Sequence, residues 1–111
     1  MDDCISKWLF DALQASRNIR SFVEGKTLDD YAENVLVSSA VERQFEIIGE
    51  ALRRVRDYDE AFIESIEGWR GAISFRNILA HGYDEIDDEL VFAIIEDDLP
   101  ILIKEIEEHL D

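Results

Sequence analysis

The sequence predicts an all-α protein, an antiparallel up-and-down bundle of four main helices with a short fifth helical piece. Three observations carry this. Apolar residues recur three and four positions apart through long segments. No segment alternates strictly between apolar and polar, as a half-buried strand would. Gly25, Gly68 and Gly82 fall at the points where those segments stop.

The first helix runs from about residue 3 to 24, with Ile5, Leu9, Ala12, Ser16, Ile19 and Val23 on one stripe, and Gly25 ends it. A second opens near Thr27 or Asp29, either of which can cap it, and continues to about residue 56. Its seam is Val35, Val41, Phe45, Ile48, Leu52 and Val55. A helix of some thirty residues is roughly 45 Å long, which in so small a protein implies packing beyond its own chain. A short helical piece around Asp59 to Ile66 leads to Gly68, and a helix from about Trp69 to Ala80 follows, stopped by Gly82. After the acidic link DEIDDE the last helix spans about 87 to 110, with Leu90, Ile94, Leu102, Ile106 and Leu110 as its apolar face. Pro100 removes the amide that would bond the Glu96 carbonyl, so a kink is expected there rather than two unrelated helices.

At 111 residues, 47% apolar and 34% charged, the chain fits one domain spanning 1–111 with a single core. The region after Met1 has neither the basic start nor the apolar run of a signal peptide, and no stretch reaches membrane-spanning length, so a cytoplasmic protein is expected. Cys4, the one cysteine, reads as a small buried or half-buried side chain, and no Cys/His spacing suggests a metal site. The net charge of −16 argues against broad, sequence-blind binding to nucleic acid. The excess is uneven, with twelve acids against one base in residues 82–111. Arg43, Arg53, Arg54, Arg56, Arg70 and Arg76 all lie mid-chain, which leaves room for a local positive cleft, or for surface arginines paired with nearby acids.

The stretch RNILAHGY, residues 76–83, gathers polar chemistry at a helix end. Asn77 and His81 are four apart and share a face, with at least one of Ile78 and Leu79 turned into the core. Arg76 lies about 100° round from Asn77, a gap its long side chain can close, and Tyr83 follows Gly82, beyond the helix. If the four groups converge, they suit metal-free phosphodiester cleavage. His81 moves a proton at the ribose 2′-hydroxyl or the leaving oxygen, and Arg76 stabilises charge on the phosphoryl group. RNA carries its own nucleophile; DNA does not. Asn77 would orient the histidine or bind substrate, and Tyr83 would donate to phosphate or stack on a base. An ordinary helix C-terminus also uses a cation, a last-turn histidine and a following glycine, so the residues alone leave both readings open.

Arg76, four residues, His81, one residue, Tyr83 is an RX4HXY pattern, and the chain resembles the HEPN superfamily, specifically the HepT toxins of the MntA/HepT type. VERQFEIIGEALRRV (41–55), WRGAISFRNILAHGYDEID (69–87) and EDDLP (96–100) extend the likeness over nearly the whole chain. The resemblance implies a helical homodimer with two motifs facing across a cleft, and a metal-independent ribonuclease with Arg76 and His81 catalytic. Asn77 stands where HEPN domains often carry a polar residue. The resemblance also implies an MntA-like minimal nucleotidyltransferase antitoxin that transfers AMP to Tyr83, adding bulk and negative charge that would repel RNA. No cofactor is implied.

Two other readings stand beside this one. The chain could be a non-catalytic subunit of a nucleotidyltransferase complex that binds a nucleotide or the partner. A metal-binding bundle would need Glu-x-x-His pairs, but Ile78 and Ile106 stand three residues before His81 and His109. His109 reads as a cation near the last helix end, one turn after Glu105. Trp8 and Trp69 read as core or interface packing rather than RNA stacking. Glu50 either hydrogen-bonds the octet from the adjoining helix or is solvated or paired structurally. The acids at 84–89 and 96–98 are solvated surface or a docking face for a basic partner.

Overall fold

A computed structural model describes residues 1–81 and 86–111, and among these every regular element is helical. Gly82, Tyr83, Asp84 and Glu85 lie outside the described residues, so the Gly82 stop and the placement of Tyr83 do too.

The order is α1 (Asp3–Val23), α2 (Leu28–Glu33), α3 (Val35–Tyr58), α4 (Glu60–Ile63), α5 (Trp69–Ala80), α6 (Asp88–Asp97) and α7 (Leu99–Leu110). In α1 the expected stripe faces inward, with Leu9, Ala12, Ser16 and Ile19 fully buried. Ser16 is tolerated there because its hydroxyl donates to the Ala12 carbonyl at 2.7 Å. Gly25 takes φ +74°, the left-handed conformation a side chain would oppose, and turns the chain. Thr27 then forms a reciprocal cap. Its hydroxyl accepts from the Asp30 amide at 3.2 Å and the Asp30 carboxylate accepts from the Thr27 amide at 3.0 Å.

The single long second helix expected from the periodicity is two helices. Asn34 leaves helical geometry at φ −111°, ψ 93°, and its side chain accepts from the Val37 amide at 3.1 Å, capping α3. The inference that its length demanded packing beyond the chain therefore loses its premise. Val35, assigned to the seam, is 76% exposed because it sits in the first turn after this cap. The break lets α2 fold against α6, where Tyr31 is buried and meets the Phe92 ring at 5.7 Å.

From Val41 onward α3 is the central helix, packed between α1 and α5, while α7 packs on α1 and faces the start of α5. Val41, Ile48, Leu52 and Val55 are buried to 1% or less, each contributing about 1.5–3 kcal/mol relative to exposure. At the last helix the chain bends at Asp98, which keeps right-handed helical angles (φ −96°, ψ −38°) and joins α6 to α7 just before Pro100. That is the expected kink. The inward face is Val91, Ile95, Leu99, Leu102, Ile103 and Ile106, while Leu90, assigned to it, is 53% exposed. Cys4, expected to be at least half-buried, is exposed. His109 lies in the last turn of α7 with Nε2 3.0 Å from Ser65 Oγ, tying that turn to the segment before α5. Among the described residues no helix is long and apolar enough to cross a membrane.

Partial burial on α3, reinforced by Asp88 and Glu46, pushes the Glu42 carboxyl above its usual range. A carboxyl raised in the fold costs stability only where it must ionise, so the penalty is absent below the ordinary value and grows as pH rises through the raised one. Glu42→Gln should therefore melt modestly higher than the parent at pH 7 and together with it near pH 4, as read by circular dichroism at the two pH values.

Candidate functional site

Arg76 is placed by the contact between α3 and α5. Phe75, one residue earlier, turns inward and meets Phe45 of α3 edge to face at 5.1 Å. The next position round the helix then lies directly over Gly49. A Cβ built on Gly49 would fall against Arg76 Cβ, 2.8 Å from its Cγ and 2.9 Å from the Ala72 carbonyl oxygen, so only glycine permits this approach. With its stem lying on α3, the Arg76 side chain, 29% exposed, carries its guanidinium to Glu50. Nη2 stands 3.4 Å from Glu50 Oε2, and Nη1 donates to Asn77 Oδ1 at 3.1 Å.

Glu50 is shared among three arginines. Arg53 donates to it through Nη2 at 2.7 Å and Nε at 3.1 Å, and Arg54 through Nε at 3.4 Å. These partners hold its carboxyl below the usual value, Arg53 first, with burial opposing and Arg54 and Arg76 adding to the effect. Their support of the fold is present above the ordinary carboxylate value and fades as pH falls through the lowered one.

Arg76 and Glu50 open onto a groove of about 470 Å³ between α1 and α3. Arg43 and Arg54 reach it from α3, and Trp8 and the exposed Phe10 from α1. Asn18 Nδ2 spans the two helices to Gln44 Oε1 at 3.2 Å. Of the six mid-chain arginines, Arg43, Arg54 and Arg76 line the groove, but Asp11, Glu46 and Glu50 line it too. Each of these three arginines is ion-paired, Arg43 with Glu46 at 3.3 Å and the other two with Glu50, so pairing with nearby acids describes them rather than a positive cleft. Arg53 and Arg56 pair with Asp57, and Arg70 pairs with Glu64 while covering the Trp69 ring. Among the described residues no three acids, histidines or cysteines are grouped as metal ligands.

Of the three described members of the expected convergence, Arg76, Asn77 and His81, two meet within one chain, while Tyr83 lies outside the described residues. Arg76 and Asn77 are hydrogen-bonded to each other; both Asn77 and His81 are exposed. His81 caps α5, its amide donating to the Asn77 carbonyl at 3.1 Å, and its side chain is not part of the groove wall. Leu79 packs on the core and Ile78 is 43% exposed. Arg76 does not serve the carbonyl end of α5 as an ordinary terminal cation, since its charge goes sideways to α3. Of the two options for Glu50, structural pairing describes its hydrogen bonds, which all go to Arg53 and Arg54, while its reach to the octet is an ion-pair contact with Arg76 rather than a hydrogen bond. Gly49 was not singled out from sequence, although a glycine inside an apolar helical seam signals close backbone approach.

An all-α bundle with an Arg/Asn pair seated on a mid-helix glycine defines a helical domain able to present a guanidinium to an anion. The chain belongs to the ribonuclease HepT-like family, whose model matches residues 12–109. It is similar to two proteins of Methanocaldococcus jannaschii. One is "Putative RNase MJ1380", 33% identical over 93% of this chain and 94% of that one. The other is "Putative RNase MJ0127", 33% identical over 94% and 85%. A third protein of the same organism, "Gamma-glutamylcyclotransferase and putative RNase MJ0434", is 29% identical over 89% of this chain and 44% of its own length. No solved structure matches the chain.

Proposed function

We propose that this protein is the toxin of a toxin–antitoxin pair, a metal-independent endoribonuclease acting in the cytoplasm. The observation that carries the reading is the Arg76 guanidinium, held between Asn77 and Glu50 at the mouth of a groove, with His81 closing the same helix. His81 accepts the 2′-hydroxyl proton as the 2′-oxygen attacks phosphorus. The bond to the 5′-oxygen breaks, that oxygen takes up a proton, and the products are a 2′,3′-cyclic phosphate and a 5′-hydroxyl. Arg76 donates to the non-bridging oxygens as their charge grows.

His81 stands outside the groove that Arg76 enters, so a second copy completes the site in this reading. Exposed Phe10 at the groove and exposed Ile78 beside Asn77 are the apolar surface that such a homodimer would cover. Two motifs together also supply positive charge that one acidic chain lacks. An MntA-like minimal nucleotidyltransferase would neutralise the toxin by moving AMP from ATP to the Tyr83 hydroxyl, with pyrophosphate leaving, and the added phosphate would repel RNA.

The reading is tested with purified protein and a labelled RNA. Cleavage that persists in excess chelator, leaving cyclic-phosphate ends, is the expected result. Co-expression with the antitoxin should add the mass of AMP to the intact protein, and the addition should vanish in Tyr83→Phe. RNA left whole would instead favour a non-catalytic subunit that binds a nucleotide or the nucleotidyltransferase.

A further inference from the structure

We infer that Glu50 is a positioning residue for Arg76, fixing the direction of its guanidinium without cancelling its charge. The inference rests on the nuclease reading above for its consequence, but the geometry stands on its own. Gly49 sets the register between α3 and α5, and the residue immediately after it offers the carboxylate. Arg53 takes both oxygens of Glu50 at 2.7 and 3.1 Å, whereas Arg76 approaches one oxygen at 3.4 Å. The carboxylate's charge is thus compensated mainly from its own helix, by Arg53. The longer, one-oxygen contact to Arg76 acts as a guide.

Asn77 accepts a hydrogen bond from Nη1, and Glu50 draws Nη2 by charge at 3.4 Å, so one of the five N–H donors of the guanidinium is taken by a hydrogen bond and a second nitrogen is held by an ion pair. A planar fork gripped at two nitrogens on different helices has one orientation; gripped only by Asn77, its sequence neighbour, it can swing. Charge supports the same division of labour. Glu50 and Asp57 face Arg53, Arg54, Arg56 and Arg76 in one linked set of ion pairs, two acids against four bases. The set stays positive within a chain of net charge −16, which suits a phosphate. A purely structural Glu50 would need only its pairs with Arg53 and Arg54, three and four residues on along α3.

Glu50→Gln separates the roles, because the amide keeps the size and removes the charge. In nitrogen-detected NMR, the Arg76 Nε–H signal, identified by its loss in Arg76→Lys, should stand apart in the parent protein. In Glu50→Gln it should collapse among the exposed arginines. With RNA, kcat should fall about 10- to 100-fold, as for a misplaced catalytic group. KM should stay level or drop, since the cluster has become more positive, and Glu50→Asp should recover part of kcat. An unchanged Arg76 signal together with parental kcat would overturn the inference, and so would a rise in KM at constant kcat. If the parent cuts no RNA the nuclease reading falls, and the NMR comparison alone decides the positioning role. If the parent cuts, Arg76→Ala is inactive and Glu50→Gln is fully active, only the positioning role falls. Should Glu50→Gln not fold, Glu50→Ala carries the same comparison, because it removes the carboxylate from Arg76 altogether.

Discussion

Alanine at His81 is expected to lower RNA cleavage by about 10²–10⁴-fold while leaving the fold intact. The reason lies in how the residue is built in. His81 is the exposed cap of α5, and its structural duty is a backbone amide donating to Asn77, which alanine also supplies. Its melting temperature should stay near the parent's, as for exposed substitutions that remove no buried contact. Arg76→Ala should cost a comparable factor, roughly 10²–10³, by withdrawing charge stabilisation. It should also lose some stability, because the arginine stem lies on Gly49 and its head pairs with Glu50. Arg76→Lys keeps the positive charge but not the two-pronged geometry, and should recover little. The double variant is expected to be hardly worse than either single one, since groups acting in one step are not additive. Cleavage by His81→Ala at the parental rate would remove the proposed mechanism. Single-turnover measurements on the folded variants, checked by circular dichroism, make the comparison.

How much of this was legible in the sequence differs from element to element, for physical reasons. The α1 stripe and the bounds of α5 follow from periodicity, with Gly25 turning the chain after α1 at positive φ and Gly68 standing just before α5. Asn34 escaped notice because α2 and α3 keep compatible spacing across it, and a lone asparagine caps as readily as it sits inside a helix. The face of α6 was misplaced by one position, since LVFAII offers two adjacent apolar stripes and only packing selects Val91 and Ile95 over Leu90 and Ile94. At the site, spacing within one helix named Arg76, Asn77 and His81. Spacing cannot say that the arginine turns to a helix twenty-six positions earlier, where Glu50 and Gly49 receive it. That information belongs to the contact between helices, and beside Glu50, which the sequence already offers as one candidate partner of the octet, its trace is a glycine where a helix would prefer alanine.

Gly49→Ala converts that trace into the second large effect, a loss of stability from a substitution that ordinarily helps. In an unhindered helix interior, alanine stabilises by about 0.8–1 kcal/mol relative to glycine. At Gly49 the new methyl would press on Arg76 Cβ and Cγ and sit 2.9 Å from the Ala72 carbonyl oxygen, and a backbone oxygen cannot swing aside. α5 must then move off α3, disturbing the Phe45–Phe75 contact one turn away and costing about 1–3 kcal/mol net. In a domain near this size each kcal/mol lowers the melting temperature by roughly 4–8 °C. Gly71→Ala supplies the opposite sign on the same pair of helices. Gly71 is an exposed position inside α5 whose added Cβ meets nothing within 4 Å, so that variant should melt above the parent. Because the displaced element carries Arg76, cleavage by Gly49→Ala should fall further than its folded fraction explains, whereas Gly71→Ala should cut at the parental rate. If both alanines stabilise, the close approach of α3 and α5 is not what seats the arginine.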